Sequence, residues 1–375
     1  MNKDFTHSFG RLLAQFMHDK SFNSHKLAKK IGVAPISVNR WINEDVTNPR
    51  CENVVEIINT LKLTDDDGDQ LLLSAGCRPR NSRLKIHTQV IHELPEKPES
   101  LALPGIPTSH PAQFFGRTDV LKRVRRAWLQ PAALQHIAII GDRRSGKTSL
   151  LKYLQYVNQI PAADLRVEQP QGWNNWLPTD FQFAFVDFQL ATMSQPESLL
   201  SNILKQLNLP VPKQCDLINF STVLDDMLDK PTVILMDEIG SGLQASDLDA
   251  IFWSNMRALG NNCADGRLGF VVTAHEPIHQ IAKDNRKESP FFNIFGHTVH
   301  LKPLTEIEAQ DLINSFSNAL TPEETNWLIQ NSGCWPALLQ ILCDERIHAL
   351  ESGETTDNWK AEGLKRIEPF LYLLQ

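Results

Sequence analysis

The chain has 375 residues, of which 42% are hydrophobic and 22% are charged, as in soluble globular proteins of two or three domains. Its net charge of −7 is uneven, because residues 1–90 hold 13 Lys and Arg against 10 Asp and Glu, while the remainder holds 24 against 34. This asymmetry predicts that a polyanion binds at the N-terminal part and disfavours the acidic body as its site.

Cysteine usage and hydropathy indicate a cytoplasmic protein. The six cysteines form no CxxC pair and show no metal-ligand spacing with histidine, so we expect reduced, buried thiols. The first residues lack the apolar core of a secretory signal. No stretch approaches the roughly 18 apolar residues of a membrane span, so we expect no membrane partner.

Residues 1–76 predict a small all-α domain. Apolar residues recur at helical spacing in several short segments of this part of the chain. Asn23 precedes one helix as its N-cap, Gly32 ends that helix, and Pro35 fits the first position of the next one. We expect five short helices.

The segment LAKKIGVAPISVNRWI (27–42) resembles the helix-turn-helix of the phage-repressor family, also called the Cro/CI or XRE type. By that resemblance the second helix of the pair enters the major groove. Asn39 would then pair with an adenine edge, and Arg40 with guanine or a phosphate. The expected DNA contacts are Lys26, Lys29, Lys30, Pro35, Ser37, Asn39 and Arg40.

The start of that second helix departs from the family pattern. Ala34 replaces the usual Ser or Thr cap, and the run Ala-Pro-Ile offers no side-chain hydrogen bonds to bases. Either the sequence specificity is modest and depends on a dimer, or the module binds protein. We favour double-stranded DNA as the partner.

Residues 77–113 read as a proline-rich linker with a basic start. The second half is expected to be an extended, semi-rigid tether. The first half is either a solvated strip or an extension that follows the DNA backbone. Its basic residues are Arg78, Arg80, Arg83 and Lys85.

Residues 141–148 match the P-loop pattern GxxxxGK[ST] between a short apolar run and a helical segment. Glycines let backbone N–H groups close around phosphate oxygens. Lys147 would bind the β- and γ-phosphates and Thr148 would bind Mg²⁺, so ATP and Mg²⁺ are the expected cofactors. The expected nucleotide contacts in this segment are Gly141, Asp142, Arg143, Arg144, Ser145, Gly146, Lys147, Thr148 and Ser149.

A second buried-strand candidate ends in Asp237-Glu238. Asp237 would hold the metal ion through water, and Glu238 would polarise the attacking water. Further strands are expected in 183–189, 268–276 and 297–304, which predicts a three-layer α/β fold with a parallel sheet. Thr273 either contacts the γ-phosphate or lytic water or merely fits its strand.

Four motifs in chain order resemble those of AAA+ and bacterial STAND-type ATPases. They are FFGRTDVLKRV (114–124), GDRRSGKTSLL (141–151), LKPLTEIEAQDLI (301–313) and NSGCWPALLQILC (331–343). The resemblance implies a P-loop ATPase core over 114–304 and a helical lid or winged-helix-like domain over 305–375. It also implies that Phe115, Gly116 and Arg117 line the base pocket, that Thr273 is a sensor residue, and that Pro336 is the lid contact.

Two positions depart from this family pattern. His275 stands where many STAND proteins keep an arginine, and Cys334 replaces a glycine. His275 either senses phosphate weakly or has a surface role. Arg286 is the nearest match to an arginine finger supplied to a neighbouring subunit, with an exposed surface charge as the alternative.

Together these patterns predict an ATP-hydrolysing DNA-binding protein that forms homo-oligomers. One reading is a nucleotide-gated switch that regulates transcription or a defence or mobile-element system. The alternative is a DNA-targeting or remodelling AAA+ ATPase of the transposition type, which forms filaments or rings on DNA. A protein that uses ATP only structurally is disfavoured by Lys147, Thr148, Asp237 and Glu238.

Overall fold

The computed structural model describes residues 8–20, 22–43, 49–77, 94–95, 104–130, 133–166, 180–286, 289–316, 320–354 and 356–375. The basic start of the linker lies outside these residues, so its expected role stays a prediction. The chain divides into two compact units, Met1–Val90 with Asn208–Lys213, and Ile91–Leu207 with Gln214–Gln375.

The N-terminal unit contains five short helices, as the sequence predicts. They are α1 (Phe9–Asp19), α2 (Ser24–Ile31), α3 (Pro35–Ile42), α4 (Cys51–Leu61) and α5 (Asp65–Ser74). Each of the first four turns one apolar face inward, and Leu13, Leu27, Val38 and Ile57 are fully buried. Burial of these faces stabilises helices that are too short to be stable alone.

The turn between α2 and α3 has the predicted chemistry. The Asn23 side chain accepts a hydrogen bond of 2.8 Å from the Lys26 N–H at the start of α2. Gly32 ends α2 with φ 73°, a left-handed conformation that glycine adopts without steric cost. Pro35 occupies the first turn of α3. The three residues therefore fix where the two helices end and begin.

A disulfide joins Cys51, the first residue of α4, to Cys77 after α5. The expectation that all six cysteines are reduced is therefore wrong for this pair. The spacing of 26 residues carries no disulfide signature, and the pairing follows from the packing of α4 against α5. Cys215, Cys263, Cys334 and Cys343 are free and buried. Burial raises the pKa of Cys263 and of Cys343 to about 12, so both are weak nucleophiles.

The second unit is built around a five-stranded sheet. The strands are β1 (Ile137–Ile140), β2 (Gln182–Asp187), β3 (Thr232–Asp237), β4 (Leu268–Ala274) and β5 (His297–His300). Their order is β2-β3-β4-β1-β5, and every neighbouring pair is parallel. Strands β1, β3 and β4 are buried along their whole length, as the continuous apolar runs predict for a parallel sheet covered on both faces.

Helices cover both faces of this sheet. They are α6 (Thr118–Trp128), α7 (Lys147–Tyr156), α8 (Pro196–Gln206), α9 (Leu217–Met227), α10 (Ile239–Gln244), α11 (Ala250–Asn262) and α12 (Ile278–Asp284). Val271 packs with Trp128 and Tyr153 on one face. Its neighbour Phe270 stacks edge-on against Phe291 at 5.5 Å on the other. Successive strand residues thus serve opposite layers, which gives the three-layer α/β arrangement.

The C-terminal part is helical and has its own core. It contains α13 (Glu306–Phe316), α14 (Pro322–Ser332), α15 (Pro336–Glu351), α16 (Asn358–Ile367) and a 3₁₀ segment, Glu368–Leu374. We refer to these elements as the lid. The described residues from 304 onward include no strand, so the wing of a winged-helix domain is not among them. Within the described ranges, no helix has both the length and the apolar character needed to cross a membrane.

Candidate nucleotide-binding site

The carboxyl ends of three neighbouring strands converge on the P-loop. Strand β1 leads into the loop at Gly141, β3 ends at Asp237, and β4 ends beside Thr273. Gly146 has φ 98° and Arg144 has φ 64°, so the loop turns sharply before α7 begins at Lys147. The loop is therefore placed at the N-terminus of a helix, where backbone N–H groups bind anions.

Lys147 lies deep in this loop, with only 4% of its surface exposed. Its ammonium group donates hydrogen bonds to the carbonyl oxygens of Gly141 at 2.8 Å and Asp142 at 3.0 Å. It also lies 3.7 Å from a carboxylate oxygen of Glu238. Burial lowers the pKa of Lys147, while the carboxylate of Glu238 acts in the opposite direction. A buried cation therefore faces the loop and the acidic end of β3.

Asp237 is the centre of a polar network at the end of β3. The Thr148 hydroxyl donates to one oxygen of Asp237 at 2.6 Å, and the Thr273 hydroxyl donates to the other. Thr273 also accepts a hydrogen bond of 2.9 Å from the backbone N–H of Glu238. Glu238 has φ 52°, a costly conformation for a residue that is not glycine. The network thus fixes both acidic residues relative to the loop.

These groups fit a Mg²⁺ ion. Mg²⁺ prefers oxygen ligands and is usually held by one or two protein groups together with substrate phosphates. Thr148 and Asp237 place a hydroxyl and a carboxylate in direct contact beside the loop. They would hold the ion, which would neutralise charge on the phosphates. Within the described part of the chain, no cluster of three or more His, Cys, Asp or Glu could hold a metal by itself.

A cavity of about 660 Å³ opens in front of the loop. On the loop side it is lined by Arg143, Arg144, Gly146, Lys147, Thr148 and Ser149. Glu238, Gly240, Ser241, Gln244, His275 and Ile281 line a second side, together with Gln189. Its volume and its polar lining suit a nucleoside triphosphate. The Asp-Glu pair and the P-loop thus face the same space.

Two sequence segments complete the cavity wall. Pro336, Ala337 and Gln340 come from α15 of the lid, and the role of Pro336 as a nucleotide contact stays a prediction. Gly105, Ile106 and Pro107 come from the end of the linker, and the Thr108 N–H donates to the Ser149 hydroxyl at 3.1 Å. Sequence reasoning missed these linker residues, because their composition is that of a tether. The contact with Ser149 is set by tertiary structure alone.

The FFGR segment does not line the cavity, in contrast to the expected base pocket. Phe114 packs in the sheet core and stacks on Tyr153 at 4.5 Å, whereas Phe115 packs in the lid core. A Cβ atom added to Gly116 would lie 2.7 Å from Glu308 of α13. The segment therefore connects the sheet to the lid. Phe114 and Phe115 enter different cores because consecutive side chains of extended backbone point in opposite directions.

Arg117 supports the P-loop from behind. Its guanidinium donates to the Ser145 carbonyl at 3.0 Å and to the Lys302 carbonyl. Only 6% of Arg117 is exposed, and burial lowers its pKa to about 10, against the raising effect of Glu308. Arg117 stays protonated at neutral pH. It joins the loop to the segment after β5 instead of contacting the cavity.

The structure also places His275, Cys334 and Arg286, which the sequence singles out. His275 is half-exposed at the cavity and lies 3.9 Å from a Glu276 carboxylate oxygen. Cys334 has φ 60°, a left-handed conformation that glycine adopts without steric cost. Arg286 is exposed after α12 and is not part of the cavity wall. It stays a prediction as a residue acting in a neighbouring subunit.

Most of the predicted DNA contacts are exposed on α2 and α3. Lys26, Lys29, Lys30, Asn39 and Arg40 are exposed, and Pro35 and Ser37 are half-buried. Ile36 is 67% exposed, while Val38 and Trp41 are buried. The face of α3 that the sequence assigns to DNA is therefore the one that points away from the core of this unit.

Comparisons with solved structures identify a P-loop ATPase fold in this chain. No family model matches the sequence, and no curated protein matches it. The structure of the Aeropyrum pernix ORC2 protein in ADPNP-ADP complexes aligns with 67% of this chain and 69% of its own, at 16% identity and a TM-score of 0.51. This likeness shows an α/β P-loop ATPase fold and nothing finer.

Two further solved structures align less well. The Walker-type ATPase paby2304 of Pyrococcus abyssi covers 70% of this chain and 79% of its own, with 16% identity and a TM-score of 0.49. Cdc6p of Pyrobaculum aerophilum covers 68% and 66%, with 15% identity and a TM-score of 0.46.

Proposed function

We propose that this chain is an Mg²⁺-dependent ATPase that binds double-stranded DNA and acts as a nucleotide-gated switch, in transcription control or in a defence or mobile-element system. The observation that carries the ATPase part is the network around Asp237. Both its oxygens accept hydrogen bonds, one from the Thr148 hydroxyl and one from the Thr273 hydroxyl, and Thr273 also accepts the backbone N–H of Glu238. A nucleotide-binding site without hydrolysis does not require a second acid held in this way.

Each residue then has a role in hydrolysis. Lys147 and the N–H groups of the loop bind the phosphates of ATP, and Thr148 and Asp237 hold Mg²⁺. Glu238 accepts a proton from the water that attacks the γ-phosphorus, and the bond to the ADP oxygen breaks. Thr273 positions Glu238 and Asp237 through the hydrogen bonds that it makes to both.

The gating part of the proposal is supported by the composition of the cavity wall. A nucleotide in this cavity touches the loop, α15 of the lid, and the linker end Gly105–Pro107. The linker end leads along the chain to the N-terminal unit. A change of nucleotide state would therefore alter the contacts that the nucleotide makes with both α15 and the linker end. Differential contacts of this kind are what a ligand-driven shift between two states requires.

DNA binding is proposed for the exposed face of α3 with the lysines of α2. Asn39 offers an amide for a base edge, Arg40 offers a guanidinium, and Lys26, Lys29 and Lys30 offer charge to phosphates. The protruding Ile36 side chain suits contact with a thymine methyl group. Because one unit offers few side chains that can hydrogen-bond to base edges, we propose that a homo-oligomer presents two such units to one DNA site.

The ATPase proposal is tested by Glu238→Gln, which keeps the size of the side chain and removes the proton acceptor. We expect binding of a fluorescent ATP analogue to persist while phosphate release falls by at least about 100-fold. Glu276→Gln is the matched control, because Glu276 is exposed next to the cavity and has no assigned role. Normal hydrolysis by Glu238→Gln would exclude the catalytic assignment.

The DNA proposal is tested by fluorescence anisotropy with a duplex selected from a random library. Asn39→Ala with Arg40→Ala should weaken binding to the selected duplex by about 10-fold or more. Arg11→Ala, an exposed arginine of α1, is the control for charge alone. Equal losses in both variants would place binding outside α3.

Oligomer size separates the switch from the alternative remodelling ATPase. We expect discrete oligomers in ATP, measured by light scattering, and an ATPase rate that random-sequence duplex changes little. Growth of filaments on any duplex, with strong stimulation of hydrolysis, would support the remodelling reading. A rate per protomer that rises with concentration in the native protein but not in Arg286→Ala would assign the finger to Arg286.

A further inference from the structure

The C-terminal 3₁₀ segment, Glu368–Leu374, reaches the P-loop at two adjacent residues. The Tyr372 hydroxyl donates to the carbonyl oxygen of Arg143 at 3.2 Å. The guanidinium carbon of Arg144 lies 4.2 Å from the centroid of the Phe370 ring. Tyr372 and Arg143 lie 229 positions apart in the chain. Phosphate and Mg²⁺ binding by Lys147, Thr148 and Asp237 does not involve either contact.

The two contacts act on the most strained part of the loop. Arg144 has φ 64°, a left-handed conformation that is unfavourable for a residue other than glycine. The hydrogen bond from Tyr372 to the Arg143 carbonyl and the contact of the Phe370 ring with the Arg144 side chain both favour this conformation.

The segment is itself anchored in the lid. Leu373 is 5% exposed and belongs to the lid core. Leu374 packs on the turn between α14 and α15, because a Cβ atom added to Gly333 would lie 2.7 Å from its Cδ2 atom. That turn leads directly to Pro336 at the cavity. The anchor and the cavity wall are therefore parts of one packed body.

Arg144 also faces the end of the linker. A Cβ atom added to Gly105 would lie 3.8 Å from an Nη1 atom of Arg144. The guanidinium thus lies beside both Phe370 and Gly105, at the mouth of the cavity that both arginines of the loop line.

We propose that Phe370 and Tyr372 are positioning residues for nucleotide binding, which hold Arg143 and Arg144 so that the P-loop is preformed for phosphate. The inference rests on the proposed ATP-binding function and adds the residues that set its affinity. Because the loop need not be ordered by the ligand, the affinity for nucleotide is higher than in a loop without these contacts.

The test is equilibrium binding of a fluorescent ADP analogue with Mg²⁺ to the full chain, alongside steady-state ATP hydrolysis. Tyr372→Phe removes only the hydroxyl, and Phe370→Leu removes only the ring. We expect each to raise Kd and KM by about 2- to 10-fold and to leave kcat within about 2-fold. Phe370→Tyr, which keeps a ring, should bind as the wild type does.

Two controls separate positioning from general damage to the lid. Leu371→Ala lies between the two residues and is 41% exposed, and it should leave Kd unchanged. In a double-mutant cycle, Phe370→Leu should have little further effect once Arg144→Ala is present. Thermal unfolding of each variant should stay close to that of the wild type.

The outcomes are distinct. If the wild type does not bind the ADP analogue, the proposed function fails. If it binds and both Tyr372→Phe and Phe370→Leu bind equally well, the positioning role is wrong. If these variants bind more tightly, the segment restrains the loop in a conformation that opposes binding, which also overturns the inference.

Discussion

The hydroxyl of Thr273 donates to the carboxylate of Asp237 at the carboxyl ends of β4 and β3, where both side chains are buried. The same hydroxyl oxygen accepts the N–H of Glu238. One side chain of β4 therefore orders the two acidic residues at the end of β3. From the sequence, Thr273 was equally well explained as a residue that fits a strand.

Thr273→Val should reduce ATP hydrolysis by about 10- to 100-fold, because the shape is kept while a hydrogen bond to a charged group and one to a buried N–H are lost. Thr273→Ser keeps the hydroxyl and should retain most of the activity. Single-turnover phosphate release at saturating ATP measures the effect. Equal activity of the Val and Ser variants would show that Thr273 only packs.

Arg117→Lys should lower both the melting temperature and the affinity for ADP. Lysine keeps the charge but lacks the planar fork that serves the Ser145 and Lys302 carbonyls together. Each carbonyl left without a partner costs about 1–3 kcal/mol. Differential scanning fluorimetry and ADP titration measure the two effects. Arg123→Lys, at an exposed position on α6, the helix that begins after Arg117, is the control and should change neither.

Gly116→Ala should destabilise the second unit more than Gly353→Ala does. Both glycines have positive φ, 66° and 70°, so the backbone strain is similar. At Gly353 an added Cβ meets nothing within 4 Å, whereas at Gly116 it meets Glu308 and Leu304 at less than 3.0 Å. We expect about 1 kcal/mol for Gly353→Ala and about 1–3 kcal/mol more for Gly116→Ala, from urea unfolding. Similar losses would show that the lid moves aside freely.

The stability of the second unit should fall between pH 6.5 and pH 4 because of His136. Its ring is buried beside Phe270, whose N–H donates to its Nδ1 atom at 3.1 Å. Burial lowers the pKa of His136 from 6.5 to about 4. Below pH 6.5 the unfolded chain binds a proton that the folded one does not, so acid favours unfolding.

Between pH 7 and pH 5, His136 should lower the free energy of unfolding by about 2 kcal/mol. Urea unfolding of the wild type and of His136→Gln at pH 7 and pH 5 measures it, and the variant should lose less stability on acidification. His279→Gln, at an exposed position on α12, is the control. An unchanged pH dependence in His136→Gln would show that other groups dominate.

Much of the fold follows from local pattern. The apolar runs at β1, β3 and β4 are long enough and buried enough to specify strands. Helix ends at Asn23, Gly32 and Pro35 are decided by side-chain chemistry within a few residues. The P-loop is equally local, because its glycines and Lys147 act within eight consecutive residues.

The errors share one cause, which is that they concern contacts between distant segments. The FFGR segment has a family-like sequence, but its four residues are divided between the sheet core, the lid core and the back of the loop. The Cys51–Cys77 disulfide and the approach of Gly105–Pro107 to the cavity depend on packing that no local spacing encodes.

The sequence by itself determined the kinds of element and the chemistry at the ends of β1 and β3, since periodicity, capping and the P-loop are properties of neighbouring residues. Only the tertiary structure decided which side chains hold that chemistry in place. Thr273, Arg117, Phe370 and Tyr372 act on the loop and the acidic pair from other parts of the chain. Their positions result from the burial of two separate apolar cores, which brings together residues that the chain keeps far apart.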